Sequence, residues 1–130
     1  MKAKKRPSDK RLRANLWELC KQITRKRYGF TCYTCDKSLE NGSQCHTGHF
    51  IPSAVGGVYL RYDLRNLRPQ CYHCNINLGG NGSMYYRKMV EREGQEYVDG
   101  IFEDKKKLTK ADWVFYQMKI EEYAEILKKL

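Results

Sequence analysis

Cys32-Tyr-Thr-Cys35, Gly48-His49-Phe50 and Cys71-Tyr-His-Cys74-Asn75 form the stretch on which the reading of this chain turns. Two CxxC pairs about forty residues apart suit one tetrahedral zinc site. Each pair makes a tight knuckle with two thiolates, and Zn²⁺ takes four such ligands at roughly 2.3 Å. Cys32, Cys35, Cys71 and Cys74 are therefore read as the ligands of a structural zinc. The competing readings are two disulfides or free buried thiols. The N-terminus shows no secretory signal, so a reducing compartment, the cytoplasm, is expected, and that favours metal. Cys45 competes as a ligand beside His46, but it has no partner cysteine nearby, whereas the CxxC knuckles are pre-set. The zinc joins the ends of a loop with little apolar mass of its own, which is a structural task. Any chemistry lies in what the staple holds in place.

Outside this stretch, composition sets the bounds. The chain has 130 residues, 41% of them hydrophobic, enough for one domain with a true core. No apolar run approaches the roughly 18 residues of a membrane span, so no membrane partner is expected. The net charge is +10, and it is unevenly placed. Residues 1–30 carry eleven Lys/Arg against two acids, while residues 89–130 carry eight bases against ten acids. A basic block of this kind contacts a polyanion, most often nucleic acid, in preference to serving as a solvated tail. It lacks the Phe- and Trp-rich apolar face of a membrane-surface helix.

Residues 1–7 read as a disordered basic tail and 8–130 as a single domain. Ser8 or Asp9 caps a helix within 8–29. Its apolar side is Leu12, Leu16, Leu19, Cys20 and Ile23, and Gly29 ends it. Arg11, Arg13, Lys21, Arg25, Lys26 and Arg27 are the candidate DNA contacts on its remaining surface. Residues 30–80 form the zinc-bound core. An Asn41-Gly42 turn leads to a strand over 44–51, a loop over 53–66 and a short strand over 67–71, whose Pro69 suits an edge. Residues 81–130 are helical. Ser83 is expected to cap one helix there, a second spans about 95–107, and Thr109 caps the last. Trp113, Tyr116, Ile120, Tyr123, Leu127 and Leu130 then step by three and four. That stripe suits either a helix packed on its own domain or a homodimer through helix 109–130.

A strand ending in His49, a loop with Asn66, a second strand and a helix starting at Asn75 resemble the HNH, or ββα-metal, nuclease arrangement. Three further strings sharpen the likeness: Gly48-His49-Phe50-Ile51-Pro52, Arg61-Tyr62-Asp63-Leu64-Arg65-Asn66, and Pro69-Gln70-Cys71-x-x-Cys74-Asn75 with Gly79-Gly80-Asn81. Together they resemble the NinG (Rap) family of phage recombination proteins over about residues 15–100. The resemblance implies a structure-specific endonuclease that cuts branched recombination intermediates in the cytoplasm of a phage's bacterial host. By position, His49 matches the general base, Asn66 the residue that orients it, and Asn75 a ligand of a catalytic Mg²⁺ or Mn²⁺. The position before the base is often a metal ligand, and here it is Gly48. His46, of the same strand parity as Gly48, is the first candidate to replace it, with Asp63, Asn81 or water as alternatives. Arg61, Arg65 and Arg68 offer cations beside the site for phosphates.

The expectation is an α+β protein with a zinc-stapled, HNH-like core, a basic N-terminal helix and a helical C-terminal part. Its expected activity is metal-dependent hydrolysis of DNA. The alternative is a non-catalytic zinc protein that binds DNA as an accessory in recombination.

Overall fold

The computed structural model describes residues 5–40, 44–105 and 107–130. The start of the basic tail, the Asn41-Gly42 turn and Lys106 lie outside the described residues. Within them the chain is mixed, five α-helices around one two-stranded sheet.

Helix α1 (Asp9–Tyr28) begins where Ser8 Oγ accepts a hydrogen bond from the Arg11 amide at 3.1 Å. Arg25, Lys26 and Arg27 in its last turn complement the negative end of the helix dipole. It stops at Gly29, whose φ of 72° suits a residue without a Cβ. Leu12, Leu16, Cys20 and Ile23 are buried, as the helical period requires. They meet Tyr116 and Tyr123 of the last helix, α5 (Trp113–Lys129), together with Tyr62 and Leu67. The Tyr123 hydroxyl closes the pair by donating to the Tyr62 carbonyl at 2.6 Å. Of the two readings of the stripe, packing on its own domain describes Tyr116 and Tyr123, which α1 covers, while Trp113 and Leu130 at its ends are exposed. The cap of α5 differs from expectation. Asp112, not Thr109, has the extended backbone of an N-cap, and its carboxylate accepts from the Phe115 amide at 3.1 Å.

Strand β1 (Cys45–His49) pairs antiparallel with β2 (Leu67–Cys71), setting Cys45 opposite Cys71 and His49 opposite Leu67. Pro69 lies opposite Thr47 and costs little, because each strand of a two-stranded sheet keeps one edge unpaired. All five residues of β2 are buried.

The expected loop over 53–66 is instead α2 (Ser53–Arg61), followed by a 3₁₀ turn (Leu64–Asn66). The Gly56-Gly57 pair, which reads as loop punctuation, serves the helix. Gly57 takes φ 71° at a kink, and Gly56 leaves room for Leu60, which a Cβ would approach to 2.9 Å. Leu60 then joins Phe50, Ile51, Tyr85, Met89, Val98 and Ile101 in a second core. That core is completed by α3 (Gly82–Glu93) and α4 (Gln95–Asp104). Helix α3 starts after Asn81, which is left-handed at φ 51°, so Ser83 lies inside the helix and is not its cap.

Candidate metal centre and active site

The first knuckle is closed by backbone bonds from Cys32 to Lys37 and from Asp36 to Cys32, at 2.8 and 2.9 Å, and by a bridge between Thr31 and Ser38. The second follows β2 directly and enters a short π-type turn, His73–Asn77. The Sγ atoms of Cys32, Cys35, Cys71 and Cys74 lie within 4.8 Å of one another. Cys35 and Cys71 are separated by 3.8 Å between sulfurs. A tetrahedron with metal–sulfur bonds of roughly 2.3 Å has edges of about 3.8 Å, so the donor set fits zinc. Around it, the Cys74 backbone amide donates to Cys71 Sγ at 3.3 Å and the Asn81 side-chain Nδ2 to Cys74 Sγ at 3.7 Å. Burial opposes ionisation of Cys32, but the Thr34 hydroxyl and nearby backbone amides outweigh it and bring the thiol down to about 6. Cys45 is buried in the same cluster, yet its sulfur is not one of the four.

His49 closes β1 and points at α1. The Trp17 ring stacks on its imidazole, with centroids 5.2 Å apart and planes 8° from parallel. Its Nε2 lies 3.0 Å from the Arg61 carbonyl. A carbonyl only accepts, so Nε2 carries the proton and Nδ1 keeps a free lone pair. Burial pushes the pKa of His49 below its ordinary 6.5; the carbonyl of Arg61 opposes this and its guanidinium adds to it. The ring is therefore neutral at pH 7, the state a general base needs.

The hydrogen bonds of the Asn66 side chain go to Ile51 and Leu60 and not to His49. Its fully buried amide accepts from Ile51 N at 2.7 Å and donates to Ile51 O and Leu60 O at 2.9 and 3.1 Å. It ties the chain leaving β1 to the end of α2, while the Arg61 carbonyl makes the contact that orients the histidine. His46 is an odd number of residues from His49 and turns to the other side of the strand. There its Nδ1 lies 3.1 Å from the Asn75 side-chain amide, with the Tyr72 ring edge-on at 5.6 Å. Of the candidates to replace a ligand at position 48, His46 is the one that meets Asn75. Asp63 is engaged with Arg65, and Asn81 with Cys74 Sγ. The space at Gly48 itself is occupied by Gln70, whose Oε1 would lie 1.9 Å from an added Cβ. Gln70 is held there by donating to Thr34 Oγ1 and Gly80 O at 3.1 and 2.9 Å.

Two cavities join these parts. One of about 420 Å³ holds His49 with Arg13, Trp17 and Arg61. The other, of about 470 Å³, holds His46 and Asn75 with Trp17, Lys21 and Arg25. Trp17 borders both.

The sequence model described as "Bacteriophage Lambda NinG protein" matches residues 2–130. The chain belongs to the NinG family. It is 36% identical over 70 residues to protein ninG of Escherichia phage 933W, covering 54% of this chain and 33% of that protein. Protein ninG of Escherichia phage lambda is 34% identical over the same length and shares. For protein ninG of Salmonella phage P22 the figures are 34% over 76 residues, 58% of this chain and 36% of that protein. The chain spans about a third of the length of the curated relatives it matches. No solved structure matches it.

This NinG-family chain places its expected basic contacts unequally. Arg13, Lys21, Arg25 and Arg61 border the two cavities, although Arg25 also donates to the Cys45 carbonyl at 3.2 Å. Arg11, Lys26 and Arg27 are exposed elsewhere on α1. Arg65 is half-buried between Asp63 and Asp104, 2.6 Å from each, so its charge is already matched. Arg68 is a correction. It is 0% exposed, stacked on Tyr28 at 4.3 Å, bonded to the Tyr97 hydroxyl and paired with Glu93 at 3.3 Å. A side chain so enclosed reaches no phosphate; it pins the end of α1 to α3 and α4. Trp17, the Arg61 carbonyl and Tyr72 escaped the sequence reading. Only Trp17 left a trace there, as an aromatic off the apolar stripe, four residues from both Arg13 and Lys21.

Proposed function

We propose that the chain is a metal-dependent DNA endonuclease with His49 as its base, cutting branched recombination intermediates. The observation that carries this reading is the state of His49. It is a neutral imidazole with Nε2–H fixed by a carbonyl and Nδ1 free, in a cavity walled by Arg13 and Arg61. Nδ1 takes a proton from water as the water oxygen bonds to phosphorus. The P–O3′ bond breaks, the leaving oxygen is protonated from solvent, and a 5′-phosphate and a 3′-hydroxyl result. Trp17 holds the ring plane and excludes water from one face. Arg13 and Arg61 draw the phosphate in and offset its charge. Asn75 Nδ2–H donates to His46 Nδ1. The two would hold a divalent ion through Asn75 Oδ1 and the imidazole only once that hydrogen bond is given up, a donor pair that suits Mn²⁺ at least as well as Mg²⁺. A divalent ion held there would supply positive charge to the reacting phosphate. A zinc held by all four cysteines would have no open position, and its role would be structural.

The branched substrate and the host cytoplasm are the part of this proposal that rests on the resemblance to the NinG family alone. The test is incubation of the zinc-loaded protein with labelled branched and plain duplex DNA, in Mn²⁺, Mg²⁺ or chelator. Cutting that needs the ion, favours the branch and leaves 5′-phosphates is expected. Binding without cutting under every condition would replace this reading with a zinc-containing DNA-binding accessory protein, which Gln70 in the place of a ligand side chain at position 48 favours.

A further inference from the structure

We propose that one unpaired strand of DNA runs along α1 through both cavities, and that Tyr72 is the platform on which one of its bases stacks. This rests on the nuclease reading for its occupant and adds what selects the substrate.

The first observation is a ridge. Arg13, Trp17, Lys21 and Arg25 stand four residues apart, so they share one face of α1. Each step rises about 6 Å along the helix, comparable with the separation of neighbouring phosphates in an extended strand. The same four side chains border the His49 cavity at one end and the His46–Asn75 cavity at the other. The rail is therefore continuous past both halves of the site. Three of the four are cations and the Trp17 ring is already stacked on His49, so the rail follows a strand by its phosphates and leaves base stacking to another side chain.

The second observation is independent of the charges. Tyr72 is 49% exposed, although it directly follows Cys71 and lies two residues before Cys74, so its turn is tied on both sides to the four-cysteine cluster. The core gains little from so open a ring. It stands edge-on to His46 at 5.6 Å, and His46 in turn meets Asn75, so the ring is one side chain away from the proposed ion site. In a duplex each base is already stacked and paired, so its face is closed to a side chain. An unpaired base has that face free, and stacking on an aromatic ring is tolerant of sequence. Tyr72 on a fixed turn therefore discriminates between strands by pairing state, independently of base identity.

The test measures binding, not cutting. Fluorescence anisotropy of a short labelled oligothymidylate and of a duplex of equal length is followed over a salt series with the zinc-loaded protein. Tyr72→Ala is expected to weaken single-strand binding about tenfold and to leave duplex binding within about twofold of wild type, with Tyr72→Phe matching wild type. The double variant Arg13→Gln/Lys21→Gln is expected to flatten the slope of log affinity against log salt by about 1.4 for the single strand. Equal loss on both DNAs, or no loss on either, would overturn the platform. An unchanged salt slope would overturn the rail. If the protein binds as expected but never cuts, the nuclease reading falls and the strand path stands. If it cuts but shows none of these dependences, the strand path falls alone. Binding to neither DNA would overturn both.

Discussion

The metal centre and the histidine groove are neighbours built on the same two strands, yet they are assembled by opposite means. The four cysteines arrive as two local pairs, each closed by its own backbone turn, and only one long-range event is needed to bring the pairs together. The groove takes Trp17 from α1, His46 and His49 from β1, the Arg61 carbonyl from α2 and Asn75 from the turn after β2. Each of these elements contributes only one or two positions, spread from residue 17 to residue 75. A site made of preformed halves is stable by itself, whereas a site made of single contributions depends on everything that fixes its parts. In this chain the first holds the second in place: Cys71 and Cys74 anchor the turn that carries Tyr72 and Asn75.

That dependence should appear first when the centre is broken. Cys71→Ser leaves three thiolates and is expected to lose zinc and cooperative unfolding together, because the free energy of binding a structural zinc is folding free energy. Zinc content and thermal melting check it, and a variant that melts like wild type without metal would remove the centre from the stability of the fold. The opposite change asks whether the groove can be completed. Gly48→Asp would place a carboxylate at the missing ligand position, but Gln70 occupies that space. It is expected to cost about 1–3 kcal/mol through overpacking and to add no activity; chemical denaturation and a cutting assay measure both.

The smallest expected effect is on proton affinity. Burial lowers the pKa of His49, so its charged form is disfavoured in the folded state. The stability this provides is complete above pH 6.5 and is lost as pH falls through the depressed value, where the base is also protonated. Cutting should therefore persist somewhat below pH 6.5 before failing on the acid side. Trp17→Leu uncovers one face of the ring, and the acid limb of the pH–rate profile should move up toward 6.5, with kcat reduced severalfold. An acid limb that stays in place would mean that Trp17 does not set the environment of the base.

How far the sequence could be read follows from the same contrast. The four-cysteine cluster was legible because its spacing alone encodes the knuckles, and the buried side of α1 because its period is helical. Helix α2 was not, since Gly56 and Gly57 look like loop residues and only the packing of Leu60 and Ile51 shows why glycine suits the helix. Arg68 was misread because its burial depends on Tyr28, Tyr33, Tyr97 and Glu93, four residues scattered through the chain that together solvate a cation. Asn66 was found, but its partners were not. A side chain that spans Ile51 and Leu60 stabilises the bend after His49 without a hydrogen bond to the imidazole, and no local pattern separates those two roles. The stripe of α5 left packing on its own domain and a dimer both open, because the helix it meets, α1, begins about a hundred residues earlier in the chain.

The most direct test compares wild type with His49→Ala on labelled branched DNA in Mn²⁺, after both proteins are shown to hold equal zinc and to bind the DNA equally. The account predicts that wild type cuts and that the variant is slower by a factor of about 10²–10⁴. Equal cutting by the two proteins would contradict it, because the base would then lie outside the groove that α1, β1 and α2 build around His49.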